Sequence, residues 1–381
     1  MKILVTGANG FVGKNLIAEL ENIRDGKSKR FQFATLIEIY KCDIETTAEE
    51  LDCYCKDCDF VFHLAGVNRP ENVSEFMEGN FGFTTTLLDN LKKHGNKAAI
   101  LMSSSIQASL DNDYGKSKKA GEDYLLEYAM HNDVTTYIFR LPNVFGKWSR
   151  PNYNSAIATF CHNIARDLPI TVNDRNYEMT VVYIDDVVNS FLKALKAKPL
   201  EFQDGYFKVS PQHKATLGEI VDMIQSFKNS RKTLEIPNMS CELEKKLYAT
   251  YLSYLPMDDL SYPLKMNVDN RGSFTEFIHT INNGQVSVNV SKPNITKGQH
   301  WHHTKNEKFL VVSGNGVIRF RNINTNEVVE YFVSGDKLEV VDIPVGLTHN
   351  IENLGNTDMV TIMWCNEIFN PNVPDTYFEE V

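Results

Sequence analysis

Two groups of residues have the types and the spacing to do chemistry. In SSSIQASLDNDYGKSK, Tyr114 and Lys118 stand four apart, so on a helix they share one face. An ammonium beside a phenol lowers the phenol's pKa, and the phenol can then exchange a proton with a sugar or alcohol oxygen. A hydroxyl from the serine run at 103–105 can orient that oxygen. In GQHWHHTKNE (298–307), His300 and His302 are two apart, so on a strand they point to the same side. Glu307 opens the next strand, and His349 in PVGLTHNIEN lies on a later one. Imidazoles and one carboxylate converging inside a barrel suit a borderline divalent metal, with zinc the default. His303 faces away from the pair and reads as a surface residue.

The elements that must position these residues differ between the two halves. In the first half KILVT, FATLIEIY, DFVFHLA, AAILMS and TTYIFRL read as strands, most of them continuously apolar. Helix-like segments lie between them, at Phe11–Glu21, Val73–Lys93 and Lys116–His131. Alternating β and α with buried strands predicts a Rossmann-type, doubly wound parallel sheet. TGANGFVG follows the first strand and opens a helix. Gly7 permits the tight turn, Gly10 lets backbone approach a pyrophosphate, and Gly13 allows close helix–sheet packing. From about residue 265, QVSVNVS, KFLVVSG, GVIRFRN, VVEYFVS, KLEVVDIP and MVTIMWCN alternate with period two and are separated by tight turns. This predicts an all-β sandwich or barrel with no helix before its last few residues. The resulting division is a domain over 1–255, a linker at 256–264 within the aperiodic LSYLPMDDLSYPLKM, and a domain over 265–381.

Composition narrows the function. The 381 residues are too many for one typical domain, and 42 % hydrophobic with 23 % charged is ordinary for a globular chain. A net charge of −10 argues against nucleic acid or an anionic membrane as partner. The apolar run Ile3–Val5 is too short for a signal peptide, and no stretch approaches a membrane span. Seven cysteines in a chain this size read as reduced thiols of a cytoplasmic protein, and the CYCKDC run lacks a second pair at zinc-site spacing.

The first half resembles the extended short-chain dehydrogenase/reductase family: TGxxGxxG, HLAG (63–66), the serine run, YGKSK and RLPNVFG (140–146) occur in the family's order. The resemblance implies that Tyr114 is the catalytic acid, Lys118 its partner and Ser105 the substrate-oxygen ligand, with Ser104 close behind. It implies that Gly7, Gly10, Phe11, Gly13, Leu64, Ala65 and Lys118 contact the cofactor. It places Arg69, Asn80 and Asn143 near the substrate and Arg175 on its nucleotide phosphates. Strand two ends IEIYKCD with no clear acidic residue at its tip for a ribose hydroxyl. Lys41 there could face a 2′-phosphate, which favours NADPH over NADH.

The second half resembles the cupins in both of their motifs, with Gly314 seven after Glu307, and Asn353 four after His349. NVDNRGSFTEF (267–277) is similar to a segment of the dTDP-4-dehydrorhamnose 3,5-epimerase cupins, in which the arginine binds the nucleotide-sugar diphosphate. That arginine is Arg271 here. His300 therefore has two readings, as metal ligand beside His302, Glu307 and His349, or as general base. An extended reductase fused to a metal cupin resembles the bifunctional nucleotide-sugar enzymes of capsular-polysaccharide synthesis. That resemblance implies a UDP-activated 4-keto-6-deoxy-N-acetylhexosamine as substrate, C3 epimerisation in the cupin, C4 reduction in the reductase domain, and a homodimer. Other readings are a reductase or 4-epimerase with a non-catalytic sugar-binding or dimerising cupin, a metal-free cupin, and an NADP-sensing scaffold.

Overall fold

The computed structural model describes residues 1–31, 36–280, 282 and 284–381. The contacts divide the chain into two compact units, 1–225 with 246–256 and 226–245 with 257–381.

In the first unit, β1 (Lys2–Thr6), β2 (Glu38–Cys42), β3 (Phe60–His63), β4 (Ala99–Ser105) and β5 (Thr136–Leu141) form a parallel sheet in the order β2-β1-β3-β4-β5. Strands Tyr206–Lys208 and Glu201–Gln203 extend it beyond β5, the last running antiparallel. Successive β1 side chains go to opposite faces. Ile3 and Val5 join one apolar cluster with Leu16, Phe62 and Phe191, while Leu4 joins another with Leu87, Ile100 and Leu125. Both faces are thus covered, which is why these strands read as unbroken apolar runs. The expected strand FATLIEIY begins later than expected, at Glu38, and its residues Phe33–Thr35 lie outside the described ones. Among the described residues β2 alone stands beyond β1, whereas the usual doubly wound order places two strands there. The expected helix over 73–93 is interrupted. A π turn, Met77–Gly82, joins Ser74–Phe76 to Phe83–Lys93 and turns Asn80 into the interior.

The second unit is two antiparallel sheets. One orders Glu235–Ile236, Gly272–Thr280, Gly284–Ser291, Met359–Cys365, Glu307–Ser313 and Val340–Ile343; only the first pairing is parallel. The other orders Val328–Ser334, Asn315–Asn322, Leu347–Asn353, Thr296–Trp301 and Tyr377–Phe378. The chain therefore ends in a short strand paired with Thr296–Trp301, where the sequence suggested a terminal helix. Phe309, Val311, Ile318, Phe320, Val341 and Ile351 fill one end of the space between the sheets. At the other end the alternation is inverted. Along Gly284–Ser291 the polar Gln285, Ser287, Asn289 and Ser291 are the buried row, and the valines between them, Val286, Val288 and Val290, face the other side and are only half-buried. A buried polar row across a sandwich lines a cavity rather than a dry core.

None of the seven cysteines is in a disulfide. Cys55 and Cys58 sit at and just past the helix Ala48–Asp57, and burial pushes both thiols up to about 12, so they are packing groups. No helix among the described residues is long and apolar enough to cross a membrane.

Asn353 is fully buried. Its amide donates to the carbonyls of Ser291 and Thr357, both at 2.8 Å, and its oxygen accepts the Gly355 N–H at 2.9 Å. Asn353→Ala strands these groups and should cost about 2–3 kcal/mol, read as a lowered denaturant midpoint of the C-terminal unit.

Candidate functional site

The first unit opens into a cleft of about 1110 Å³ at the carboxyl ends of β1, β3 and β4. Gly7 has φ 67°, and a Cβ there would lie 2.8 Å from the Ala65 nitrogen. A Cβ on Gly13 would meet the Gly7 carbonyl at 2.1 Å. Only glycine lets this turn press against the β3 end and the helix Phe11–Arg24. The helix has no side-chain cap at Gly10, so its first N–H groups remain available to an anion. All of Gly7, Gly10, Phe11, Gly13, Leu64 and Ala65 line the cleft, as do Ser105, Tyr114, Lys118 and Asn143.

Lys41 does not. Its ammonium pairs with Glu21 at 2.8 Å, outside the cleft-lining set. The acid expected to be missing from the strand tip is Asp43, directly after β2. It lines the cleft and accepts the N–H groups of Asn9 at 2.6 Å and Ile44 at 2.8 Å.

Tyr114 and Lys118 stand one turn apart on the helix Asp113–Asn132. Lys118 is enclosed, donates to the Ser103 carbonyl at 3.3 Å, and is held down to about 8 because burial disfavours its charge. The phenol does not show the depressed pKa expected from a neighbouring ammonium. Burial raises it, and the Ser105 hydroxyl only partly offsets that. Tyr114 therefore stays protonated at neutral pH. The two serines both line the cleft but differ in their partners: Ser104 is buried and donates to Glu122 at 2.5 Å, whereas the Ser105 hydroxyl accepts the Gln107 N–H at 3.2 Å.

Asn80 differs from its expected role at the substrate. Its amide is used up by the Val67 N–H and carbonyl, at 2.9 and 3.1 Å, and by the Ser117 hydroxyl at 3.0 Å, so it braces the wall of the cleft. Arg175 also departs from expectation. It is bound to Asp222, with both oxygens at 2.7 Å, and is not among the cleft-lining residues. Arg69 is exposed and likewise outside the lining. The cleft-lining cations that sequence reasoning missed are Lys14 and Arg150, the latter 5.2 Å from the Tyr153 ring in the segment after RLPNVFG.

In the second unit a cavity of about 850 Å³ contains His300, His302, Glu307 and His349. One donor atom from each lies within 4.8 Å of all the others. His300 and His349 are cross-strand partners, and a bulge at Gly298 and Gln299, with φ 99° and 63°, turns His300 inward. A Cβ on Gly298 would lie 2.9 Å from the His349 carbonyl, so a glycine is needed at this close approach. His302 is bonded through Nδ1 to the Asp375 carbonyl, which leaves Nε2 as an acceptor, 3.5 Å from a Glu307 oxygen. His349 Nε2 lies 3.3 Å from the same oxygen. Burial raises the Glu307 pKa, yet the two facing imidazoles outweigh it and hold the carboxyl at about 2. Burial and the neighbouring imidazoles lower His300 to about 4. His302 Nε2 and Glu307 Oε2 are both buried without a hydrogen-bond partner. Imidazole nitrogens and a carboxylate converging in a buried space, two of their atoms without a hydrogen-bond partner, fit a cation, and three imidazoles with one carboxylate fit a zinc-like one. His303 is exposed, against Trp301 and Tyr377.

Arg271 lies in the cavity wall, paired with Asp269 at 2.7 Å and half-exposed. The same wall holds Lys297, anchored on Asn289 and the Val290 carbonyl, and the buried Lys305. Sequence reasoning missed both lysines. It also missed Asp375, whose carboxylate accepts the N–H groups of His303, Thr304 and Lys305 and so fixes the loop between two of the cluster's members.

These features define a nucleotide-sugar enzyme of the reductase/epimerase type. Residues 3–204 match the NAD dependent epimerase/dehydratase family and residues 267–377 the polysaccharide biosynthesis C-terminal domain; the chain belongs to the former family. Over its whole length it is similar to the capsular polysaccharide assembling protein CapF from Staphylococcus aureus, at 58 % identity and TM-score 0.92, covering 100 % of each chain. It is also 46 % identical to the UDP-2-acetamido-2,6-beta-L-arabino-hexul-4-ose reductase of Pseudomonas aeruginosa, over 99 % of this chain and 98 % of that one. A UDP-glucose 4-epimerase from Thermotoga maritima, 19 % identical with TM-score 0.53, shares the fold over 67 % of this chain and 98 % of its own.

The converging acceptors generate a prediction. Purified protein should carry about one divalent ion per chain by metal analysis, and His302→Ala with His349→Ala should remove it. A metal-free wild-type protein that resists reloading would refute the assignment.

Proposed function

We propose that the chain is a bifunctional enzyme of UDP-N-acetyl-L-fucosamine synthesis for bacterial capsule, working in the cytoplasm. In this reading the C-terminal unit is a metal cupin that epimerises C3 of UDP-2-acetamido-2,6-dideoxy-hexos-4-ulose. The N-terminal unit then reduces the C4 ketone with NADPH, giving UDP-N-acetyl-6-deoxy-L-talosamine. What carries the reading is that one chain holds both a glycine-loop cleft with Ser105, Tyr114 and Lys118 and a polar cavity with His300, His302, Glu307 and His349.

The order of the steps follows from the ketone. A hydrogen on C3 is acidic only while C4 is a carbonyl, because the carbanion is delocalised as an enolate. Reduction removes that carbonyl, so epimerisation comes first. A divalent ion in the C-terminal site, held by His300, His302, Glu307 and His349, supplies Lewis acidity. Arg271 at the cavity wall takes the diphosphate, and Lys297 and Lys305 add positive charge where an anion is bound and formed. A base in the cavity takes the C3 hydrogen as a proton, and a proton delivered to the opposite face of the enolate inverts C3.

In the cleft, bound NADPH supplies a hydride to C4. Ser105 orients the C4 oxygen, and Tyr114, kept protonated by burial, gives it a proton, so that the carbonyl becomes a secondary alcohol. Lys118 restores the positive field beside the phenol. Asn143 faces the sugar. The Lys41–Glu21 pair is exposed and weak, so a 2′-phosphate can draw Lys41 away from it. We also infer a homodimer, supported by the edge strand Val328–Ser334, which exposes Val328, Val329, Tyr331 and Phe332.

Three outcomes are expected. Without NADPH, the enzyme incorporates solvent deuterium at C3 of the keto sugar; a C-terminal unit that exchanges nothing would favour the reading of a non-catalytic cupin. Tyr114→Phe lowers NADPH oxidation by at least about 10²-fold in a stopped assay with the keto sugar, and unchanged turnover removes the reductase assignment. Lys41→Ala raises KM for NADPH and leaves KM for NADH in place; equal effects would refute a 2′-phosphate contact.

A further inference from the structure

Beneath the cleft lies a buried charged group that the reaction itself does not use. Glu122 is 0 % exposed and lies on the helix Asp113–Asn132, one turn beyond Lys118 and two beyond Tyr114. Its carboxylate is shared three ways. One oxygen accepts the Ser104 hydroxyl at 2.5 Å and Arg140 Nε at 2.9 Å, and the other accepts an Arg140 terminal nitrogen at 2.6 Å. Arg140, on β5, stacks over the Tyr206 ring at 3.5 Å. The carboxylate thus ties together three separate pieces: the serine end of β4, the arginine of β5, and the helix bearing the phenol and the ammonium.

We infer that Glu122, held by Arg140, is a positioning residue for the reductase site: it fixes Ser105 relative to Tyr114 through Ser104 and supplies the counter-charge that keeps Lys118 an ammonium. The inference rests on the reductase reading above.

The surroundings of Lys118 leave few other candidates for that counter-charge. From its own helix the charge that acts on it is Glu122, and Tyr114 one turn back stays neutral. From β3 it meets His63, which burial and the Lys118 charge hold neutral at about 3 and which is bonded to Thr6 and Thr84, each at 2.8 Å. From β4 it meets only the Ser103 carbonyl. From the segment after β3 it meets Gly66, where an added Cβ would lie 2.9 Å from the Lys118 nitrogen and 2.7 Å from the Asn80 oxygen. Arg140 reaches the group only through Glu122. Burial pulls the ammonium down and Glu122 pushes it back up, leaving it at about 8. Lys118 therefore loses its proton as pH rises through that value, and removing the carboxylate moves the loss to lower pH.

A buried ion pair is a weak source of stability, because desolvating both charges offsets their attraction, and an apolar pair of similar shape can replace it without loss of fold. That separates a positioning role from a merely structural one. Glu122→Gln alone strands the Arg140 guanidinium and risks the fold, so the test uses the double variant Glu122→Met with Arg140→Met, and Glu122→Asp as the charge-keeping control. The readout is the pH profile of kcat/KM for NADPH-dependent reduction of the keto sugar, with KM for NADPH recorded alongside. The expected result is an alkaline limb shifted roughly 1 pH unit downward in the double variant and left at the wild-type position in Glu122→Asp, with thermal midpoints close to wild type. A double variant whose limb coincides with wild type overturns the inference, as does a limb that moves equally in Glu122→Asp. Tyr114→Phe tests the reductase reading separately, since it asks whether turnover occurs and not where its limb lies.

Discussion

Keeping a charged group out of water without cancelling its charge is the constraint on which both cavities depend. A bare ammonium or carboxylate taken into a protein interior costs several kcal/mol, so the surrounding chain must supply compensating dipoles or charges at fixed positions. In the N-terminal unit Lys118 is compensated by a carbonyl of β4 and by a carboxylate one turn along its helix. In the C-terminal unit Glu307 is compensated by two imidazoles, each locked in place by its strand or by a carbonyl. The parallel sheet and the sandwich are different solutions to holding such groups rigidly. In the first unit Ser105 ends a strand while Tyr114 and Lys118 stand on the helix Asp113–Asn132, and in the second the imidazoles and the carboxylate sit on or next to strands; in both, clusters of aliphatic and aromatic side chains pack behind them.

The two units also concentrate positive charge in concave sites of a chain of net charge −10. Positive groups are few and local: the uncapped helix start, Lys14 and Arg150 in the cleft, and Arg271, Lys297 and Lys305 in the cavity. Placing them inside concave sites, where field lines are focused by low-dielectric walls, lets an acidic protein bind a diphosphate without attracting anionic polymers over its surface.

Much of this architecture was legible from patterns that reflect local physics. The glycine turn, the Tyr114–Lys118 face, the His300–His302 pair and the period-two strands all declare themselves over a few residues. What could not be read was set by partners distant in sequence. Lys41 looked free at a strand tip, but Glu21 from the preceding helix takes it, and Asp43 supplies the carboxylate that seemed absent. Arg175 and Asn80 carry suitable side chains, yet Asp222 and the Val67 backbone occupy them. The phenol's pKa failed expectation because burial raises it and only the Ser105 hydroxyl pulls the other way. In Gly284–Ser291 the alternation was plain, but whether valines or polar residues faced inward depends on what the opposite sheet presents, and no single strand contains that information. Glu122 was invisible for the same reason: its meaning lies in Ser104 and Arg140, 18 residues away in each direction.

The tail of the chain has a practical bearing. Asp375 lies in an aperiodic segment, yet its carbonyl orients His302 and its carboxylate gathers three backbone amides of the loop leading to Glu307. Six residues further on, the chain is still engaged, with Val381 donating to Gln299 at 2.9 Å beside the bulge that aims His300. Displacing or removing residues 375–381 would reach the imidazole cluster through these bonds even though every cluster residue were intact.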